Sequence, residues 1–204
     1  GHKEPGPWLE LVHHLFPDEA EREALLDWLA WTLQKPGVKC NWQVLIKSVE
    51  GAGKDSMLEP LRGGLGRHNY KEVETQMLLG NFNEYLMGAP SLVIIQELDA
   101  AHKENCRTRL KPMAATPPAM LQVNVKNMRE VLVANTFQVM VLTNEEHPFS
   151  LDGDDRRWFM LEANSKKLPH AFFNELWAWY QSGGARWVCA WLAGRDLSGF
   201  DPNH

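Results

Sequence analysis

The sequence predicts an α/β fold with a mostly parallel central sheet, helices on both faces and flanking helical segments. Along its 204 residues, short β-branched runs alternate with longer stretches in which apolar residues recur at helical spacing. A glycine-rich loop separates one such run from one such stretch, and polar residues follow two further runs. Because the carboxyl ends of parallel strands meet at one edge of a sheet, these polar groups are expected to share that edge.

Composition narrows the class of protein. Hydrophobic residues make up 44% and charged residues 23% of the chain, which is ordinary for a globular domain. No apolar run approaches the roughly 20 residues that span a bilayer, and no secretory leader pattern is present, so we expect a cytoplasmic protein without membrane contact. The formal net charge is −5, yet residues 101–130 carry six basic and two acidic side chains. We call residues 101–130 the basic ridge. A local excess of positive charge in an acidic protein is typical of a protein that binds DNA at one place on its surface.

The order of elements begins with an N-terminal helical segment over 8–36, in which Pro17-Asp18-Glu19 is a plausible helix start and Lys35-Pro36-Gly37 an end. A core over 40–165 follows. It starts with a strand over 42–47, the glycine loop, and a helix predicted to end near Pro60 or at Gly63-Gly64.

The rest of the core is predicted as a helix over 74–87, a buried strand over 91–95, another helix with Leu110 near its end, and a β-hairpin near 120–133. Strands over 137–142 and 156–161 complete the sheet. A C-terminal helical segment over 168–200, broken at Gly183-Gly184, closes the chain.

The glycine loop has the composition of a phosphate-binding loop. Glycines let backbone N–H groups and a helix N-terminus face a polyphosphate, while the Lys54 ammonium reaches the outer phosphates. A hydroxyl that ligates Mg²⁺ usually follows the lysine, but Asp55 stands there, and Ser56 lies about 100° further round the helix. A simple turn with a surface lysine is the alternative. The candidate nucleotide-binding residues are Glu50, Gly51, Ala52, Gly53, Lys54, Asp55 and Ser56.

Acidic residues follow the strand over 91–95. Glu97 at its end is a candidate to hold Mg²⁺ or to polarise an attacking water, and an ordinary strand-end acid is the alternative. Asp99 is a second candidate ligand, and Asp55 a third. Many ATPases carry two adjacent acids here, whereas this chain has Gln96 before Glu97, so metal ligation rests on fewer groups.

Several further polar residues each allow a functional and a purely structural interpretation. Asn144 follows a buried strand and would orient the lytic water or touch the terminal phosphate, or it is a turn asparagine. Arg156 and Arg157 would stabilise charge on the γ-phosphate, or they pair with Asp154 or Asp155. At the hairpin tip, the candidate DNA contacts are Lys126, Asn127 and Arg129, for which a solvated turn is the alternative.

In this order, these motifs resemble those of superfamily 3 helicases, and most closely the phage, plasmid and prophage primase-helicase family, over about residues 9–200. The resemblance implies an AAA-like P-loop NTPase core that assembles as a hexameric ring and translocates on DNA. It also implies a role for each matching residue: Gly51, Gly53 and Lys54 in the first motif, Glu97 in the second, Lys126 on the DNA-contacting hairpin, Asn144 as sensor, and Arg156 or Arg157 as arginine finger. By the same resemblance, Gly-Lys-Asp is a tolerated form of the first motif.

The leading hypothesis is therefore a DNA-dependent ATPase and replicative helicase module that uses ATP and Mg²⁺. Its expected partners are single-stranded or forked DNA, further copies of the chain, and a primase domain or protein. No primase-like segment precedes the core, so we expect a fragment of a longer protein or a stand-alone version. Asp55 and Gln96 keep open an ATP-binding replication or DNA-loading module with weak or lost hydrolysis. A small-molecule P-loop kinase would explain the loop, but not the hairpin or Asn144.

Overall fold

The computed structural model describes residues 4–98, 100–144 and 156–203. Its strands are β1 (Gln43–Lys47), β2 (Tyr70–Glu74), β3 (Leu92–Gln96), β4 (Met120–Val123), β5 (Val131–Ala134), β6 (Gln138–Thr143) and β7 (Trp158–Glu162). Its α-helices are α1 (Gly6–Leu15), α2 (Glu19–Gln34), α3 (Lys54–Asn69), α4 (Thr75–Leu79), α5 (Lys103–Ala114), α6 (His170–Trp179) and α7 (Ala185–Ala193). Five strands form a parallel sheet in the order β2-β3-β6-β1-β7, and β4 and β5 form a separate antiparallel hairpin. The predicted α/β fold with a mostly parallel sheet is confirmed.

Strand β6 occupies the centre of the sheet and aligns its neighbours. Val141 of β6 pairs with Leu45 of β1 on one side and with Ile95 of β3 on the other. The three strands are parallel and in this register, so their carboxyl ends lie level with one another. Whatever follows each strand therefore emerges at the same height along one edge of the sheet.

Alternating side chains of the strands build a core on each face of the sheet. One face carries Val44, Ile46, Ile94 and Met140, which pack with buried residues of α1, α2, α3 and α7. The opposite face carries Leu45, Val93, Val139 and Val141, which pack with α5 and with inward residues of the β4–β5 hairpin. Both faces are covered, which explains why the central strands are continuous apolar runs.

The helix predicted to end near Pro60 or at Gly63-Gly64 continues through the proline, so an end at Pro60 was wrong. Its helical backbone is interrupted at Gly66 (φ +73°), two residues beyond the glycine pair, before the element ends at Asn69. A proline inside a helix removes the N–H donor for the carbonyl four residues earlier, here Ser56. In this fold the Tyr180 hydroxyl donates to the Ser56 carbonyl at 2.8 Å and replaces that lost hydrogen bond. Tertiary contacts therefore carry the helix through a residue that local propensity would make its end.

The helix predicted over 74–87 was also wrong. The chain enters strand β2 before it, then forms the short helix α4 and a 3₁₀ turn at Glu84–Leu86. Strand β2 lies at the sheet edge, where Tyr70 and Val73 are its two buried residues. An edge strand with so few apolar positions gives little periodic signal. The other predicted elements are present, with ends shifted by a few residues, and the helical tail is interrupted at Gly183 as expected.

Two further properties concern the described residues. Among them, Cys40, Cys106 and Cys189 form no disulfide bond, and the first two are buried. No helix in the described part of the chain is both long enough and apolar enough to cross a bilayer.

Candidate functional site

The glycine loop links the end of β1 to the start of α3. Gly51 has φ +73° and Gly53 has φ +108°, a region of backbone conformation that side-chain-bearing residues rarely adopt. Gly53 precedes the first helical residue, Lys54, and within residues 4–98, 100–144 and 156–203 no side chain caps this helix terminus. Because the first N–H groups of a helix have no partner within the helix, those of the first turn of α3 are available to an acceptor beyond the chain.

Two helices support this loop from beneath. A Cβ on Gly53 would lie 2.9 Å from Cε1 of Phe173 on α6 and 3.1 Å from Cδ1 of Leu11 on α1. Trp8 of α1 donates from its indole nitrogen to the Met57 carbonyl of α3 at 2.9 Å. The loop conformation is therefore fixed by the flanking helical segments as well as by its own glycines.

Ser48 begins the loop, where a phosphate-binding loop usually has its first glycine. Its backbone N–H donates to the Thr143 carbonyl at 2.9 Å, which joins the loop to the end of β6. Its side chain is buried, and among the residues that the structure describes the hydroxyl has no hydrogen-bond partner. A buried hydroxyl without a partner is unusual in a folded protein.

The two residues after Lys54 differ in their surroundings. Asp55 is exposed on the first turn of α3, where a carboxylate interacts favourably with the helix dipole. Ser56 is half-buried, and its carbonyl is the acceptor for Tyr180. Burial raises the pKa of Tyr180 well above its ordinary value, with Glu59 adding to the shift, so this phenol remains a donor over the physiological range.

Glu97 directly follows β3 in an unusual backbone conformation. Its φ is +53°, and its carbonyl accepts a hydrogen bond of 2.7 Å from the Thr75 hydroxyl at the end of β2. A left-handed conformation is uncommon for a residue other than glycine, asparagine or aspartate, and such strain concentrates at functional sites. The exposed Glu97 borders a cleft of about 580 Å³ whose other lining residues are Glu74, Thr75, Gln76, Leu79, Gly80, Gln96 and His102.

The remaining residues predicted for this edge are placed as follows. Asn144 is exposed and follows β6, between the loop after β1 and Glu97 after β3. Arg156 is exposed, whereas Arg157 is half-buried and its carbonyl accepts from the Gln43 N–H at 2.7 Å. Asp99, a predicted metal ligand, lies outside the described residues, as do Asp154 and Asp155, the predicted partners of the arginines.

The β4–β5 hairpin carries the three predicted DNA contacts at its tip. Lys126, Asn127 and Arg129 are all exposed. Asn127 has φ +62°, and the Met128 N–H donates to the Val125 carbonyl at 3.1 Å, which closes a four-residue turn.

Asn83 fastens the hairpin to the body of the protein, a role that the sequence did not indicate. Its side chain accepts from the Asn124 N–H at 2.6 Å and donates to the Gln122 carbonyl at 3.0 Å. An asparagine in an irregular segment before a strand carries no periodic signal. Its pairing with residues about 40 positions later becomes visible only in the fold.

A cleft of about 510 Å³ between α5 and the hairpin includes Arg109 of α5 and Gln122 of β4. At least one member of the predicted basic ridge therefore faces the hairpin. Tyr85 lines the same cleft, where burial raises its pKa to about 12 against an opposing effect of Arg109. In the described residues, Arg107 of this ridge lies 3.8 Å from Glu104, which offsets part of its charge.

Magnesium can be tested against the donors in the described part of the chain. No group of three or more His, Cys, Asp or Glu side chains is close enough there to form a metal cage. Mg²⁺ bound with a nucleotide takes only one or two protein carboxylates and completes its shell with water and phosphate oxygens. Two separate acids, Asp55 and Glu97, at one sheet edge fit that mode of binding.

The fold and the site define an α/β domain whose polar loops gather at the carboxyl ends of a parallel sheet, the usual place for ligands in such sheets. The model of DUF5906, a family of unknown function, matches residues 46–157, which is more than half of the chain, and the protein belongs to this family.

The chain is similar in sequence to a phage protein and in fold to several solved structures. The chain is 28% identical over 160 residues to the DNA primase-polymerase of Nitratiruptor phage NrS-1, a match that covers 76% of this chain and 22% of that protein. Two apo structures of the NrS-1 C-terminal region match with TM-scores of 0.80 and 0.82, at 23% and 22% identity, over 96% and 97% of this chain and 47% and 48% of theirs.

A structure of JCV helicase matches with a TM-score of 0.60 and 12% identity, over 96% of this chain and 55% of that one. The chain thus spans about a fifth of the length of the curated relative and about half of these solved chains. At these identities the structural matches establish the shared fold.

Proposed function

We propose that this chain is the DNA-dependent ATPase and replicative helicase module of a phage, plasmid or prophage replication protein. In this proposal the domain is a superfamily 3, AAA-like P-loop NTPase that binds ATP with Mg²⁺. It assembles as a hexameric ring, hydrolyses ATP at the interfaces between subunits and translocates on DNA. A primase domain is the expected functional partner.

The observation that carries the proposal is the alignment of three strand ends. Strands β1, β6 and β3 are neighbours in one register, and they are followed by the glycine loop, Asn144 and Glu97 respectively. Neighbouring strands lie about 4.8 Å apart, so the first and third loops emerge about 10 Å apart, with Asn144 between them. That spacing suits a polyphosphate cradled at one loop and a water activated at the other.

Each residue then has a stated task. The glycine loop and the first turn of α3 donate N–H groups to the phosphates, and Lys54 balances their charge. Glu97 polarises the attacking water, and Asn144 orients it. Asp55 and Glu97 would hold Mg²⁺, with Asp99 as a further candidate, and the bound ion would neutralise charge on the phosphate oxygens.

The likenesses supply the biological setting. A DNA primase-polymerase of a phage and a viral helicase share this fold, which supports a role in replication and contact with DNA. In the proposal the exposed hairpin tip at Lys126 touches DNA, and Arg156 or Arg157 reaches the nucleotide of a neighbouring subunit. Arg156 is the better candidate for the finger, because its side chain is exposed while Arg157 is half-buried.

The direct test measures ATP turnover with and without single-stranded DNA at high protein concentration. Wild type should hydrolyse ATP faster with DNA, Lys54→Ala should lose ATP binding, and Glu97→Gln should bind ATP but lose turnover by at least 100-fold. Wild type that shows no turnover in either condition contradicts the ATPase. Tight ATP binding without turnover would instead favour the nucleotide-binding or DNA-loading module, which Asp55 and Gln96 motivated.

A second experiment addresses the assembly. The mass of the protein with ATP and DNA present should correspond to an oligomer, and Arg156→Ala should abolish turnover while leaving the Kd for ATP within about twofold. Mixing this variant with Glu97→Gln should restore part of the turnover, because each contributes an intact half-site. A monomeric mass under these conditions contradicts a finger supplied by a neighbour.

A further inference from the structure

The segment after β7 is fixed over the glycine loop by contacts with two other elements. The Ala163 N–H donates to the Lys47 carbonyl at the end of β1, and the Asn164 N–H donates to the Leu15 carbonyl at the end of α1, each at 2.8 Å. His14 of α1 donates from Nε2 to the Lys166 carbonyl at 2.5 Å. The backbone next to Lys167 is therefore held in place by the same helix that supports the loop.

Lys167 extends from this segment onto the loop itself. Its Nζ lies 3.4 Å from the point that a Cβ on Gly51 would occupy. The side chain belongs to an exposed residue, and in the described part of the protein its ammonium makes no ion pair or hydrogen bond. A cation without a partner is thus held against the backbone that would face a phosphate.

The charges of the loop give this placement a reason. Between Ser48 and Ser56 the chain carries two carboxylates, Glu50 and Asp55, and only one ammonium, Lys54. Those acids oppose the binding of a triphosphate by like-charge repulsion. A second ammonium beside Gly51 adds positive charge to this loop and so reduces that repulsion.

We infer that Lys167 is a second phosphate-contacting cation, which engages the polyphosphate of a bound nucleoside triphosphate while Lys54 engages it from α3. The inference rests on the proposed function, because it deepens the same site. It adds a contribution from a segment more than 110 positions beyond the loop. Lysine binds phosphate as a point charge, so the contact is expected to depend on charge more than on shape.

The test compares the Kd values of ATP and of inorganic tripolyphosphate, measured by calorimetry. Lys167→Gln should weaken both by about tenfold, the effect of losing one charge-assisted hydrogen bond. Lys167→Arg should keep most of the affinity. Lys166→Gln is the matched control, since it removes the same charge at the neighbouring position, where the recorded hydrogen bonds in the described part of the protein are those of the backbone. This control should remain within twofold of wild type.

Two outcomes overturn the inference while leaving the proposed function intact. One is equal affinity of Lys167→Gln and Lys166→Gln when Lys54→Ala abolishes binding. The other is tighter ATP binding by Lys167→Gln, which would mean that Lys167 blocks the empty loop. If wild type binds neither ligand better than Lys54→Ala does, the proposed nucleotide site itself fails, and the inference fails with it.

Discussion

The hydrogen bond from Tyr180 to the Ser56 carbonyl makes a sharp prediction about stability. Pro60 provides no N–H for that carbonyl, and the Tyr180 hydroxyl lies 2.8 Å from it in a residue that is 6% exposed. Tyr180→Phe keeps the ring but leaves the carbonyl with no donor. An unsatisfied buried acceptor costs about 1–3 kcal/mol. Because water can reach part of this site, we expect the free energy of unfolding to fall by about 1–2 kcal/mol.

The assay is urea denaturation followed by tryptophan fluorescence, with Tyr85→Phe as the matched control. The Tyr85 hydroxyl makes no hydrogen bond in the described part of the protein, so this control should change the free energy of unfolding by less than about 0.5 kcal/mol. Equal effects of Tyr180→Phe and Tyr85→Phe would refute the claim that the Tyr180 hydroxyl replaces a helical hydrogen bond.

A double-mutant cycle then isolates the cause. Pro60→Ala returns an N–H group to the position from which a helix normally serves the Ser56 carbonyl. In that background Tyr180→Phe should cost about 1 kcal/mol less than it does in wild type. If the two substitutions are additive, Pro60 does not create the need for Tyr180, and the account of why α3 continues past the proline is wrong.

Three further predictions concern the loop, the hairpin and the half-buried Lys39. Gly53→Ala should lower the free energy of unfolding by about 2–4 kcal/mol, because φ is positive there and the new Cβ would collide with Phe173 and Leu11. The control, Gly63→Ala, lies in open space on the same helix and should raise it by about 0.5–1 kcal/mol. Equal effects of the two variants in denaturation would contradict this prediction. Asn83→Ala should speed hydrogen exchange at the Asn124 amide by about tenfold, because it removes the acceptor of that amide. Asn81→Ala is the control and should leave this exchange rate unchanged, since the Asn81 side chain makes no described hydrogen bond. Unchanged exchange in both variants would contradict the claim that Asn83 holds the hairpin to the body of the protein. Burial lowers the pKa of Lys39 from 10.5 to about 7, so between these two pH values the unfolded state binds more protons than the folded state. The free energy of unfolding should therefore rise with pH, by up to about 1.4 kcal/mol per pH unit relative to Lys39→Met. Parallel pH profiles of the two proteins, from denaturation at pH 7, 8 and 9, would refute this prediction.

The sequence predicted the central strands because each is dictated by local pattern. Strands β1, β3 and β6 each contain an unbroken run of three or four apolar residues with both faces covered, so their identity depends little on context. The start of α2 was predictable for a similar reason. Asp18 caps it by accepting from the Glu21 N–H at 2.9 Å, as its position before the helix indicated.

The features that escaped prediction depend on partners distant in sequence. Strand β2 is a strand because β3 pairs with it, and its own residues give little sign of this. The passage of α3 through Pro60 depends on Tyr180, 124 positions from Ser56. The position of Lys167 on the loop depends on α1 and β1 together. In each case a contact between residues distant in sequence overrides the local preference of the chain, and local sequence patterns carry no information about such contacts.

The prediction of one shared edge survived these errors because it depends on very little of the fold. It requires only that β1, β6 and β3 be parallel, adjacent and in register, and Val141 pairs with Leu45 and Ile95 to satisfy all three conditions. An unpredicted strand at the edge of the sheet, or a helix one turn longer than expected, leaves that arrangement unchanged. In a parallel sheet the carboxyl ends of neighbouring strands are brought together by topology. The order of motifs along the chain can therefore indicate which residues share an edge of the sheet, even where the elements between them are misassigned. A residue that reaches the edge from a loop, as Lys167 does, has no pattern in the sequence that marks its position.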